Sequence, residues 1–337
     1  MRLSVKERKL IEQGVRPPFR VTRHWAALLS GQADDPLRLQ VVPQAAEQTR
    51  EEAESSDPLG EDSHSPLPRL VRRYTDRALV VVTGECALYC RHCFRRRISG
   101  KEFGPISREE INRIACWLQE HREVKELLLS GGDPLTLSDR QLKFLMDSFR
   151  QARPDIVLRL ATRMPLVEPR RVSAALARML GEQKPLWVVV QVNHPRELSS
   201  LSLRAFSRLQ RQGLPILNQS VLLRGINDNI DVLEELSRAL VAAGIKPYYL
   251  FQGDLASGTA HFRLPLEEAR SLADQLRRRV SGLAMPNFSV DLPGGGGKVP
   301  LSRNYVLGKQ GRVWHLKTPD GREGFYADPP EKSAGKE

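Results

Sequence analysis

From about residue 78 to residue 280 the chain alternates between short, almost wholly apolar runs and longer stretches with helical spacing, and this pattern limits its possible folds more than any other feature. ALVVVTG (Ala78–Gly84), ELLLSGG, DIVLRLAT, LWVVVQV, PILNQSVLL and KPYYLF read as strands. REEINRIACWLQEH, DRQLKFLMDSFRQA, VSAALARML, LRAFSRLQRQG, VLEELSRALVAAG and LEEARSLADQLRRRV read as helices. Strands that are apolar along their whole length are buried on both faces, as in a parallel sheet covered by its crossover helices. Six strand–helix pairs are two short of a closed eight-unit barrel. The predicted fold is α/β, a partial (β/α)6 TIM-like barrel over residues 71–285, with a lateral mouth wide enough for a large substrate.

Residues 1–70 form an N-terminal lead-in, polar and broken by prolines, with a short amphipathic helix near Val5–Gln13 and an acidic, Ser/Pro-rich loop, EQTREEAESSDPLGEDSHSPLP. Residues 286–337 form a small C-terminal β-rich segment, with strands expected at NYVLG, RVWHLK and EGFYA and a polar, frayed tail from Pro329 to Glu337. The N-terminus lacks the apolar run of a signal peptide, and no stretch approaches the roughly 20 apolar residues of a membrane span. With only four cysteines, a reducing cytoplasm is the expected location and no membrane partner is expected. The formal net charge is +12, and its arginines are scattered apart from the runs Arg95–Arg97 and Arg277–Arg279. This reads as a solvated basic surface. RNA-binding patterns are absent and nucleic acid is not the expected partner, although a tRNA or protein substrate stays open.

Three of the four cysteines fall within TGECALYCRHCFRRR, at Cys86, Cys90 and Cys93, just past the first strand, where a barrel keeps its active site. Three thiolates are one short of a closed site. A [4Fe–4S] cubane held by three cysteines keeps one iron open to a small molecule. Zinc with His92 as a fourth ligand is the competing reading, but C-x3-C-x2-C lacks the paired knuckles of structural zinc. Cys116, among Ile111, Ile114 and Leu118 of a helical pattern, is expected to be a small core residue.

A second feature is DLPGGGGKVP, Asp291 to Pro300. Four glycines are costly to order and suit backbone that approaches a ligand closely. Lys298, which follows them, suits a phosphate loop or a Schiff base. Val299 and Pro300 then deny the helix start and the hydroxyl that a phosphate loop requires, which discounts nucleotide hydrolysis.

CALYCRHC followed by SGGDP after the second strand resembles the radical S-adenosylmethionine enzymes. Adding the lysine after the glycine run, the resemblance narrows to the lysine 2,3-aminomutase family. It covers most of residues 56–328, through DPLGEDSHSP, RYTDR, YCRHCFRRR, SGGDPLTLSD, VNHPRE, NQSVLLRGIND, PYYLFQGDL and PGGGGK. The resemblance implies a radical S-adenosylmethionine core barrel and a cluster on Cys86, Cys90 and Cys93. It implies that Ser130, Gly131, Gly132, Asp133 and Gln219 contact S-adenosylmethionine, and that pyridoxal phosphate is bound covalently by Lys298 and held by Arg73. Arg95 would clamp the substrate carboxylate, and Asp254 with Asp291 would receive the ε-ammonium group of lysine. The implied reaction converts L-lysine to β-lysine by a 1,2-amino shift, with a reductase such as flavodoxin or ferredoxin as electron donor and a homo-oligomeric assembly. The alternatives are the branch that makes (R)-β-lysine for elongation factor P, and another amino acid such as arginine. Read without the family, Arg95–Arg97 are basic-surface or salt-bridge residues, Asp254 a turn residue and Asp291 a loop cap. Three departures stand out. Gln191 replaces a usual histidine, Asn229 replaces a zinc-ligating cysteine, and no cysteine follows Cys116, so no zinc is expected.

Overall fold

The computed structural model describes residues 3–100 and 102–329; the tail beyond, residues 330–337, lies outside the described residues. The lead-in carries three short helices, α1 (Val5–Glu12), α2 (Arg23–Ala27) and α3 (Pro36–Leu39), each begun by a polar cap: Ser4, Thr22 and Asp35. Such caps satisfy N–H groups that a helix start leaves without intrahelical partners. A two-residue strand, β1 (Leu70–Val71), then pairs antiparallel with β2 (Arg77–Thr83).

The barrel follows as β2–α4 (Arg108–Glu120), β3 (Glu126–Gly131)–α5 (Asp139–Ala152), β4 (Val157–Thr162) with α6 (Met164–Val167) and α7 (Ala174–Gly181), β5 (Leu186–Val190)–α8 (Ser200–Gln210), β6 (Ile216–Val221)–α9 (Ile230–Ala242) and β7 (Lys246–Phe251)–α10 (Leu266–Arg279). These are the six strand–helix pairs read from the sequence. Strand β8 (Asn287–Leu292) adds a seventh parallel strand, and β9 (Gly297–Pro300) turns back antiparallel along it. The nine strands follow one another in chain order and curl into a half-barrel. Strands β10 (Val306–Gln310), β11 (Val313–Lys317) and β12 (Glu323–Ala327) make a separate antiparallel sheet.

Serines 107, 138, 173 and 199 cap α4, α5, α7 and α8. Asn229, at the expected zinc-cysteine position, caps α9 by accepting the Asp231 N–H at 2.8 Å. The core lies between sheet and helices. Val80 and Val82 of β2 share one cluster with Ile111, Ile114 and Leu118 of α4. Cys116 is not a core residue; it is exposed. Five residues after Ile111 it stands about 140° round the helix from the buried stripe. Among the described residues, no helix is long and apolar enough to cross a membrane.

Two glycines of the run, Gly294 and Gly295, are held against the lead-in. The Gly294 N–H donates to the Pro58 carbonyl at 3.0 Å. A Cβ on Gly60 would lie 2.7 Å from the Gly294 carbonyl carbon, and one on Gly295 would lie 2.4 Å from the His64 ring. The run therefore seats against residues 57–64 of the lead-in.

Candidate active site

A cavity of about 360 Å³ lies inside the curled sheet. Cys86, Cys90, Cys93, Ser130, Gly131, Gly132, Asp133, Gln219, Arg73, Arg95, Asp254, Asp291 and Lys298 all line it. The cysteine turn and the lysine-bearing strand thus share one chamber, although 205 residues separate Cys93 from Lys298 (298 − 93).

The cysteine loop leaves β2 at Gly84, whose N–H donates to the Phe103 carbonyl at 2.6 Å. Burial pushes the Cys86 thiol well up from its usual value, reinforced by Asp133 and the other two cysteines, and burial does the same to Cys93. Thiols raised in this way resist ionising alone and suit a metal centre that replaces the protons. Arg163 Nη1 donates to Cys90 Sγ at 2.7 Å. Among the described residues no three His, Cys, Asp or Glu side chains close around a single ion-sized point.

The glycine turn at the end of β3 presses on the start of this loop. The Gly132 N–H donates to the Thr83 carbonyl (2.5 Å) and the Asp133 N–H to the Glu85 carbonyl (2.8 Å). A Cβ on Gly131, at φ 119°, would lie 2.4 Å from the Thr83 carbonyl oxygen, so glycine is required there. Asp133 has little capacity left for a ligand: its carboxylate accepts from Leu135 N–H, Thr162 Oγ1 and Arg163 N–H, joining the ends of β3 and β4.

Across the cavity, Asp291 and Lys298 are direct partners in the β8–β9 ladder. Lys298 Nζ lies 3.0 Å from Asp291 Oδ1, and Arg73 Nη2 donates to the same oxygen at 3.2 Å. The Lys298 N–H donates to the Tyr74 hydroxyl at 3.1 Å, and its ammonium group sits 5.2 Å over the Phe251 ring. Arg73 Nη1 is buried without a partner among the described residues, a donor suited to an anionic group such as a phosphate. Asp254 makes no ion pair among the described residues; burial first, and the Asp291 carboxylate second, raise it to about 7.

Arg95 has a partner that the sequence reading did not supply. Its Nε and Nη2 form a forked pair with Glu61, and Nη1 donates to Ser130 Oγ at 2.9 Å. Arg96 is not a surface residue: it is buried against Glu47 and the Gly258 carbonyl. The sequence reading also missed Glu61, Tyr74 and Arg163. Glu61 and Tyr74 lie within DPLGEDSHSP and RYTDR, blocks in which the sequence reading singled out only Arg73. Arg163 follows β4 at the carboxyl end of the strand, the edge on which barrel sites sit, and that rule alone would have flagged it. Gln191 and Gln219 both line the cavity wall.

The donor set fits the groups the sequence implied: three half-buried cysteines on one wall, and an amine and an unpartnered guanidinium N–H on the other. Residues 80–236 match the radical SAM superfamily model, and residues 273–336 match the lysine-2,3-aminomutase model. An open βα barrel carrying three cysteines on its first loop is a radical S-adenosylmethionine enzyme. The chain is 38% identical to an L-lysine 2,3-aminomutase of Clostridium subterminale, over 92% of this chain and 74% of the relative. It is 41% identical to a putative L-lysine 2,3-aminomutase of Treponema pallidum, over 90% and 84%. A glutamate 2,3-aminomutase of Clostridioides difficile is 34% identical, over 95% and 76%. The chain belongs to the lysine 2,3-aminomutase family of isomerases. The cofactors of that family are a [4Fe–4S] cluster, S-adenosylmethionine and pyridoxal phosphate.

Proposed function

We propose that the protein is an L-lysine 2,3-aminomutase, moving the amino group of L-lysine from C2 to C3 to give β-lysine. The observation that carries the choice of lysine is Asp254, a cavity carboxyl with no ion-pair partner beside a second carboxylate, Asp291. A cationic side chain supplies the partner Asp254 lacks, whereas the side-chain carboxylate of glutamate would add a third negative charge. Asp291 already accepts from Lys298 and Arg73, so Asp254 carries most of the recognition of an arriving ammonium group.

When bound, the cluster with S-adenosylmethionine supplies hydrogen-atom abstraction, and pyridoxal phosphate supplies an aldehyde through which nitrogen can migrate. Cys86, Cys90 and Cys93 would hold the first, Lys298 the aldehyde carbon and Arg73 Nη1 the phosphate. Arg95 is held on its side by Glu61 and keeps N–H groups at its Nη end for the substrate carboxylate. Leu128, Ala161, Val189 and Val221 wall the chamber and keep water from the reacting atoms.

The test is an anaerobic assay of the reconstituted enzyme with lysine, arginine, glutamate and alanine. Lysine is expected to be the preferred substrate. In Asp254→Asn its KM rises roughly 10- to 100-fold, about 1.4–2.8 kcal/mol of lost ion pairing, while the visible absorbance of bound pyridoxal phosphate is unchanged. Lys298→Ala loses that absorbance. Preference for glutamate, or an unchanged lysine KM in Asp254→Asn, overturns the substrate assignment.

A further inference from the structure

We propose that Arg163 is a positioning residue for the cluster: a fixed cation, hydrogen-bonded to the Cys90 sulfur, that makes the cluster easier to reduce. The proposal rests on the cluster being held by Cys86, Cys90 and Cys93.

Arg163 is held at its backbone and at both Nη atoms, and its buried Nε has no partner among the described residues. Its backbone N–H donates to Asp133 Oδ2 at 2.8 Å. Nη1 donates to Cys90 Sγ at 2.7 Å, and Nη2 donates to Glu197 Oε2 at 2.8 Å and Gln40 Oε1 at 3.1 Å. The guanidinium lies 5.2 Å over the Trp25 ring, and the side chain is only 10% exposed. Glu197 is itself fully buried and fixed. Its Oε1 accepts the N–H groups of Asn193 and His194 and the Gln40 amide, each at 3.0 Å. No rotamer change can carry the positive charge away without breaking this set, and a guanidinium does not lose its proton at any working pH.

Cys90 alone of the three cysteines has such a donor. The Cys93 sulfur has Ser99 Oγ at 4.0 Å, and among the described residues no side-chain donor is in hydrogen-bond reach of Cys86. The potential of an iron–sulfur cluster follows its net charge, the hydrogen bonds to its sulfurs and its exposure to solvent. Adding an electron makes the cluster more negative, and a cation held at a ligand sulfur in a water-poor wall favours that state. Glu197 offsets part of this effect. Removing either charge should therefore move the potential in opposite directions, which loss of a merely structural pair would not do.

The experiment is an electron-paramagnetic-resonance-monitored redox titration of the cluster-loaded protein without S-adenosylmethionine or amino acid, with iron and sulfide content measured alongside. Arg163→Gln is expected to shift the midpoint to more negative potential, lowering the reduced-to-oxidised ratio at a fixed potential about tenfold or more, equivalent to about 59 mV for one electron. Glu197→Gln is expected to shift it the opposite way, and Arg163→Lys to fall between Arg163→Gln and wild type. A fully loaded Arg163→Gln protein that titrates at the wild-type potential overturns the proposal. If that variant does not retain its cluster, Glu197→Gln and Arg163→Lys decide: a positive shift in the first with a smaller negative shift in the second supports it, and wild-type potentials in both overturn it. Because no lysine turnover is read, failure here leaves the substrate assignment standing, and failure of that assignment leaves this one.

Discussion

Asp254 is poised near neutrality because burial and Asp291 oppose its charge more than Lys298, Arg73 and Arg95 support it. With a folded value of about 7 against an ordinary 3.8, the folded protein holds a proton between about pH 4 and 7 that the unfolded chain has released. Its contribution to stability is therefore lost as pH rises through that window. In the ligand-free protein, Asp254→Asn is expected to raise the unfolding free energy at pH 8, by a few kcal/mol at most, and to leave it nearly unchanged at pH 4. Parallel urea titrations at the two pH values check this; an equal effect at both removes the buried charge from the account. The same proton opposes a cationic ligand, so lysine binding strengthens as pH rises through 7. Such residues were legible because Asp254 and Asp291 stand in short blocks that resemble a known family. Glu61 was not, because nothing local to residues 57–64 says that its carboxylate reaches Arg95, 34 residues away.

At the scale of elements, the six βα pairs were legible because their apolar runs and helical stripes differ in period. The role of the glycine run was not. A strand such as β9, with glycine before Lys298 and proline at its end, has no β-forming pattern, and its seat is a loop more than 200 residues earlier. That seat joins the two walls of the site: residues 57–64 meet the glycine run through Pro58, Gly60 and His64, and the cysteine loop through Glu61 with Arg95 and Asp62 with Arg97. Gly295 has φ 88°, and any side chain there would both strain the backbone and strike His64. Gly295→Ala is expected to loosen Lys298 and weaken pyridoxal phosphate binding about tenfold, read by absorbance titration. Gly308→Ala, at a position with open space around it, is the control and should bind as wild type. Equal affinity in both would mean that the lysine strand holds its place without this seat.

For the whole molecule, the acidic stretch of the lead-in and the basic barrel form a single electrostatic unit. Glu47, Glu54 and Glu61 reach in from the lead-in to Arg91 and Arg96, to Arg263 and to Arg95, so a share of the +12 charge is internal rather than solvated. Arg91 also donates to the Arg16 and Pro17 carbonyls and Arg96 to that of Gly258, which ties residues 16–17, the cysteine loop and the segment after β7 to one carboxylate. Composition shows the acidic stretch and the arginines, but pairing across such separations is set by the closed fold and not by any local pattern. The Glu47 and Arg91 side chains are fully buried, so removing the carboxylate leaves two guanidinium groups without their charge partner in a water-poor interior. Glu47→Ala is expected to cost about 3–5 kcal/mol, lowering the melting temperature by several degrees. Glu109→Ala, which removes one half of the exposed Glu109–Arg113 pair on α4, is expected to cost less than about 1 kcal/mol. Calorimetry of the two variants separates the cases: if Glu47→Ala melts no lower than Glu109→Ala, the lead-in lies on the barrel without being fastened to it, and the cysteine loop takes its shape from the barrel alone.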